Sequence, residues 1–218
     1  MLIPPLNKAM LKIPYVAQED PHSCALACYT MTAKFFFPKT TAKDIERITH
    51  WKPGYAVWAF KFWLWIMERD ITIEDYDTID YKIWAQKGFA ELQKSLGQKE
   101  YEYYLKRTFD IDEHQKDIEK VLAHKNFTYH RKKPKFEKLD SALQNGKICE
   151  VTLNSGTLRE KSVFSPHRVV VLGTNDNEII FHDPIKNYGP KCTALKTKFK
   201  HAWLETMGEP ELCIYSRK

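Results

Sequence analysis

Four residues have the types and spacing from which acyl chemistry can be built: Gln18, Cys24, His167 and Asp183. Cys24 stands in Asp20-Pro-His-Ser-Cys24-Ala-Leu-Ala-Cys28-Tyr-Thr-Met31, at the first turn of an apolar segment of helical character. A helix N-terminus carries partial positive charge and unpaired N–H groups. A thiol placed there ionises more readily, and the thiolate is the nucleophile. Pro21 argues against an earlier helix start, and Ser23 or Asp20 is positioned to cap it. Gln18 lies six positions before Cys24, close enough for its amide to fold back over the helix start and donate to an oxyanion.

A nucleophilic cysteine needs a base, and the base needs an orienting group. Both lie far downstream. His167 opens the run His-Arg-Val-Val-Val-Leu-Gly173, and Glu178-Ile-Ile-Phe-His-Asp183-Pro184 closes a second run. The Thr-Asn-Asp-Asn between them is a turn signal, so the pair reads as a β-hairpin. Its register brings a histidine that starts one strand beside an aspartate that ends the next. The order Gln, Cys, His, Asp is the one a papain-type thiol enzyme requires.

These segments resemble the C39 peptidase family and its C39-like relatives within the papain-like superfamily. The matching pieces are Pro14-Tyr-Val-Ala-Gln18, the Cys24 helix, His167 to Gly173, and Asp183-Pro184. The resemblance covers roughly residues 11–75 and 128–216. It implies Cys24 as nucleophile, His167 as base, Asp183 as orienting acid and Gln18 as oxyanion-hole donor. It also implies a peptide substrate cleaved after a small residue such as a double glycine. Ala25 stands where the family usually has glycine, and 143 positions separate Cys24 from His167, more than the family pattern needs. No metal or organic cofactor is required. The same thiol–imidazole pair can also run deamidation, transglutamination or acyl transfer, and a domain of this kind can serve as a non-catalytic binding module.

The elements that must position these residues point to an α+β fold. A central helix over 24–37 is stopped by Pro38, and Thr41 to Asp44 resembles a capping box opening a helix to Thr49. Tyr55 to Arg69 reads as a helix with Trp58, Phe62 and Trp65 as a core stripe, followed by a strand from Ile71 to Tyr76. Tyr81–Leu96, Lys99–Thr108 and Asp112–His124 read as helices. Together they make residues 77–127 a helical insertion within a single domain of residues 1–218. A strand at 127–130, a helix at 136–144, a strand at 147–153, the hairpin, a helix at 195–204 and a closing strand at 211–215 complete the chain. Residues 1–10 read as a loose leader. The nucleophile helix is expected to pack on an antiparallel sheet.

Composition narrows the function classes. With 218 residues, 43% apolar and 13% aromatic, the chain can bury a sizeable core. A formal charge of +6 is modest, and the basic loop at 131–135 is too short for a nucleic-acid stripe. No stretch approaches the ~20 apolar residues of a membrane span. Five cysteines without paired spacing fit a reducing, cytoplasmic setting better than a disulfide framework. Zinc held by Cys24, Cys28, His22, His167 and His182 is a rival for the cysteine and histidines, but structural zinc sites use tighter paired spacings. Cys28 reads as core, His182 as a structural residue facing away from Asp183, and His22 as an exposed loop residue.

Overall fold

The computed structural model describes residues 10–218, so most of the expected leader lies outside the described residues. The chain runs through helices α1 (Cys24–Phe36), α2 (Ala42–Thr49) and α3 (Phe60–Met67) to strand β1 (Ile71–Asp77). Helices α4 (Tyr81–Lys87), α5 (Gln93–Leu96), α6 (Gln98–Arg107) and α7 (Ile111–Ala123) follow, leading to β2 (Phe127–Arg131). Then come α8 (Phe136–Gln144), β3 (Ile148–Asn154) and the short α9 (Ser155–Leu158). The chain ends with β4 (Pro166–Thr174), β5 (Glu178–His182), β6 (Cys192–Leu195), α10 (Lys196–Lys200) and β7 (Glu211–Arg217).

The seven strands form one sheet in the order β2-β1-β7-β3-β4-β5-β6. All neighbours are antiparallel except β1 and β2, which run parallel. A parallel pair needs a long crossover. Here that crossover is the helical stretch from α4 to α7.

Side chains alternate across the sheet and feed two cores. One face carries Ile73, Ile148, Val170, Leu172 and Tyr215 against α1, α3 and the crossover helices. The other carries Val151, Val169, Val171, Leu212 and Ile214 against α8 and the α10 region. At eight residues α3 is too short to be stable alone. Its fully buried Phe62 and Trp63 hold it, each burial contributing about 1.5–3 kcal/mol.

Local chemistry explains most of the boundaries. Thr41 and Asp44 make the expected capping box on α2. Asn175 accepts from the N–H groups of Asn177 and Glu178, closing the β4–β5 turn. The expected helix over 81–96 instead breaks at Gly88, whose φ of 90° ends α4. The expected helix over 55–69 starts only at Phe60. Ahead of it, Ala56 bridges to Thr108, the Ala56 N–H donates to the Arg107 carbonyl, and the Trp58 indole donates to Thr108 Oγ1 at 2.9 Å. Contact with the end of α6 outcompetes the helical periodicity and pulls Trp58 out of the expected stripe. No helix among the described residues is long and apolar enough to cross a membrane.

Candidate active site

The β4–β5 hairpin sets the histidine and the aspartate. His167 is the second residue of β4, and Asp183 follows the last residue of β5. Their side chains meet, with His167 Nε2 2.9 Å from Asp183 Oδ1. The carboxylate is fixed from two further directions, and the pair is buried. The Ile185 N–H donates to Oδ1 at 2.9 Å, and Arg159 Nη2 donates to Oδ2 at 2.5 Å. The Arg159 guanidinium lies 4.0 Å from the centre of the Tyr188 ring, which holds it in place. Sequence reasoning missed Arg159; nothing in its surroundings marks it, because it reaches Asp183 from the loop after α9.

Cys24 opens α1 and faces the same cavity as His167, whose imidazole acts on its thiol. Since Nε2 is engaged by Asp183, Nδ1 is the nitrogen left for the thiol. The expected caps are not made. Ser23 occupies the N-cap position, but its hydroxyl donates to the Asp20 carbonyl and accepts the Asp20 N–H. Asp20 in turn accepts the His22 N–H within the same tight turn. With both side chains consumed by the turn, no side chain caps the first N–H groups of α1, which stay available at the thiol.

Gln18 is held next to the aspartate loop, its backbone N–H donating to the Pro184 carbonyl at 2.8 Å. Its side-chain amide donates to the Asp20 carbonyl at 2.9 Å, and Oε1 is buried without a partner. One N–H of that amide remains uncommitted. The structure thus brings Cys24, His167 and Asp183 into direct succession and sets Gln18 on the turn that leads into the helix.

The electrostatics of the trio are those of an ion pair. Burial opposes ionisation of Cys24, but the His167 hydrogen bond and charge, an Arg168 N–H and the Arg168 charge outweigh it and hold the thiol below its ordinary range. Burial likewise opposes a charge on His167, yet Asp183 and then Cys24 push its imidazolium up to about 9. Asp183 is held below the usual carboxylate range: burial raises it, and His167, the Ile185 N–H and Arg159 more than compensate.

Cys24 and His167 open on a cavity of about 130 Å³. Trp58 and the crossover helix α6, through Tyr103 and Tyr104, wall it, and Asp77, Glu209 and Glu211 line it from the sheet side. Here too lies His22, half-buried and bonded to Arg107, in place of the exposed loop residue expected. The ring is drawn in by α6, a neighbour that sequence adjacency to Cys24 does not reveal. Arg168, one residue past the histidine, is buried against Glu150 Oε2 at 3.0 Å and against Glu211.

The residues of the zinc alternative do not gather. Cys28 is fully buried with its thiol on the Arg168 carbonyl, and His182 bonds the Ile13 carbonyl and the Lys191 N–H. Among the described residues no three His, Cys, Asp or Glu side chains converge as metal ligands.

The sequence matches no protein-family model and no curated protein. The fold, by contrast, has counterparts among solved structures. A protein described as a C39-like peptidase from Bacillus anthracis superposes with a TM-score of 0.55 over 97% of this chain and 98% of its own, at 10% identity. A double glycine motif protease from an AMS/PCAT transporter, solved with its leader peptide, gives a TM-score of 0.50 over 100% of both chains, at 9% identity. At such identities the likeness is one of architecture: this chain has the fold of the C39 peptidase domains, within the papain-like class.

Proposed function

We propose that the protein is a cysteine peptidase that hydrolyses a peptide bond through Cys24, His167 and Asp183. The observation that carries the reading is the succession of thiol, imidazole and carboxylate, with the thiol lowered and the imidazolium raised in the same pair. The fold shared with peptidase domains, one of them solved with a leader peptide, favours a peptide substrate.

In this mechanism the Cys24 thiolate attacks the scissile carbonyl and a C–S bond forms. The oxyanion is met by N–H groups at the start of α1 and by the free N–H of Gln18. His167 gives its proton to the departing amine as the C–N bond breaks, leaving a thioester. The neutral imidazole then takes a proton from water, whose oxygen attacks the thioester. Collapse releases the acid and restores the thiolate. Asp183 holds the ring in one tautomer and stabilises its charged form. We read residues 77–127 as a helical insertion whose α6 serves as a wall of the substrate cavity.

The test follows alkylation of Cys24 by iodoacetamide against pH, in the parent and in His167→Ala, with peptide mapping. Mapping is needed chiefly against Cys192, the one other thiol that is not buried. A reactivity plateau reaching well below the range of a free thiol, lost in His167→Ala, is the expected result. Reactivity that rises only near pH ~8.5, as an ordinary thiol does, and ignores the substitution sinks the catalytic reading.

A further inference from the structure

The cavity beside Cys24 has an acidic lining that the thiol chemistry does not use. Asp77 ends β1, Glu211 begins β7, and Glu209 precedes it, so three carboxyl-bearing residues line the cavity. Among the described residues that line it, the single Lys or Arg is Arg168, already shared between Glu150 and Glu211. Asp77 accepts from the Ile79 N–H at 3.0 Å and the Tyr81 hydroxyl at 2.7 Å, and Glu209 from the Tyr104 hydroxyl at 3.5 Å. Among the described residues no Lys, Arg or His pairs with either of them. Asp75 lies two residues before Asp77, so it faces the same side of the sheet. It is fully buried, and neither of its oxygens has a hydrogen-bond partner. Burying carboxyl groups without a partner is costly, and a whole-chain charge of +6 shows that this local excess is not a reflection of composition.

The remaining wall is aromatic. Trp58, Tyr103 and Tyr104 face the cavity, and aromatic faces attract cations. The carboxyl groups are too dispersed to ligate a metal ion. Their spread along the cavity wall suits an extended organic cation instead.

We propose that this cavity is a specificity subsite for a cationic side chain of the substrate, its ammonium or guanidinium held by Asp77 and Glu209 and its alkyl stem by Trp58, Tyr103 and Tyr104. The inference rests on Cys24 being the reactive thiol. It gives the proposed peptidase a preference for a Lys- or Arg-bearing peptide. A site reading two glycines has no side chain to accommodate, whereas this one leaves room for a long side chain. The titration of the lining agrees with the geometry: burial and then Glu211 push Asp77 up to about 8, and burial and then Glu100 push Glu209 up to about 7.

The test compares two reagents at Cys24 in the intact chain, N-(6-aminohexyl)iodoacetamide and N-heptyliodoacetamide. They share warhead and length and differ in a terminal ammonium against a methyl group. Each rate is divided by that of glutathione. The parent is expected to react with the amine-ended reagent about tenfold faster or more, and Asp77→Asn and Glu209→Gln to bring the ratio toward one. Equal rates in the parent, or a faster alkyl reagent, overturn the subsite. The parent ratio is decisive by itself, so a variant that fails to fold does not shield the proposal. Its failure is separable from that of the peptidase reading, which would show as an ordinary, His167-independent thiol with either reagent.

Discussion

At the scale of single residues, the chemistry turns on how His167 keeps a proton while buried. Burial alone would strip it; the Asp183 carboxylate restores it and fixes Nε2 as the nitrogen it holds. Asp183→Asn removes the negative charge and presents an amide in place of a pure acceptor, so both the tautomer and the charge of the ring lose support. The expected result is an upper limb of the pH–rate profile displaced below the parent value of about 9, with kcat lower by roughly 10²–10⁴-fold. Arg159 acts through Asp183 and is a positioning residue. In Arg159→Met the carboxylate keeps His167 and Ile185 but loses its Oδ2 partner, and with it one cause of its lowered pKa. The expected loss of rate is smaller than in Asp183→Asn and partly rescued in Arg159→Lys. A pH–rate profile identical to the parent would remove Arg159 from the positioning shell.

At the scale of elements, the site depends on which pieces meet, and the sequence discloses these meetings unevenly. The hairpin was legible from its turn chemistry and β-branched run, but its register was not: a shift between Val171 and Gly173 sets His182 opposite Val170, so that Asp183 falls on the face of His167. The start of α1 was legible for the same local reasons, down to the limit set by Pro21. The unused caps were not, because whether Ser23 turns outward to the helix or back to Asp20 is decided by a competition between two equally local hydrogen bonds. Least legible was the wall. Trp58 and His22 are drawn to their places by α6, some 50 and 85 positions away in sequence. Periodicity carries no information on such pairings. The joint between these pieces is testable. Thr108→Val keeps the shape of the side chain but leaves the Trp58 indole N–H, and the segment it ties to α6, without its acceptor. Chemical denaturation should show a loss of about 0.5–1.5 kcal/mol, and no change in stability would mean that the bridge does not hold the wall.

For the whole molecule, the acidic cavity and the sheet beneath it link folding to pH. Asp77 is buried between Glu211, Tyr81 and Asp75, with Arg168 already engaged by two carboxylates. Its folded value of about 8 lies far above that of an exposed carboxyl near ~4. Between those limits the folded chain holds a proton that the unfolded chain has released. Stability must therefore fall as pH rises through this window, by at most ~1.4 kcal/mol per pH unit for one group, and level off above about 8. His167 adds a loss of the same sign, since a raised imidazolium contributes stability that is fully present below ~6.5 and disappears as pH climbs through about 9. His114 and His182 are lowered by burial and act in the opposite direction below ~6.5. The contribution of Asp77 is thus best read as a difference between two chains. Asp77→Asn is neutral at every pH and can still accept from Tyr81 or Ile79. Denaturant midpoints measured for parent and variant from pH 5 to 8 should draw steadily apart as pH rises, the variant gaining stability relative to the parent. Parallel curves would mean that Asp77 is ionised in the folded protein throughout and that a cation absent from the described residues already accompanies it.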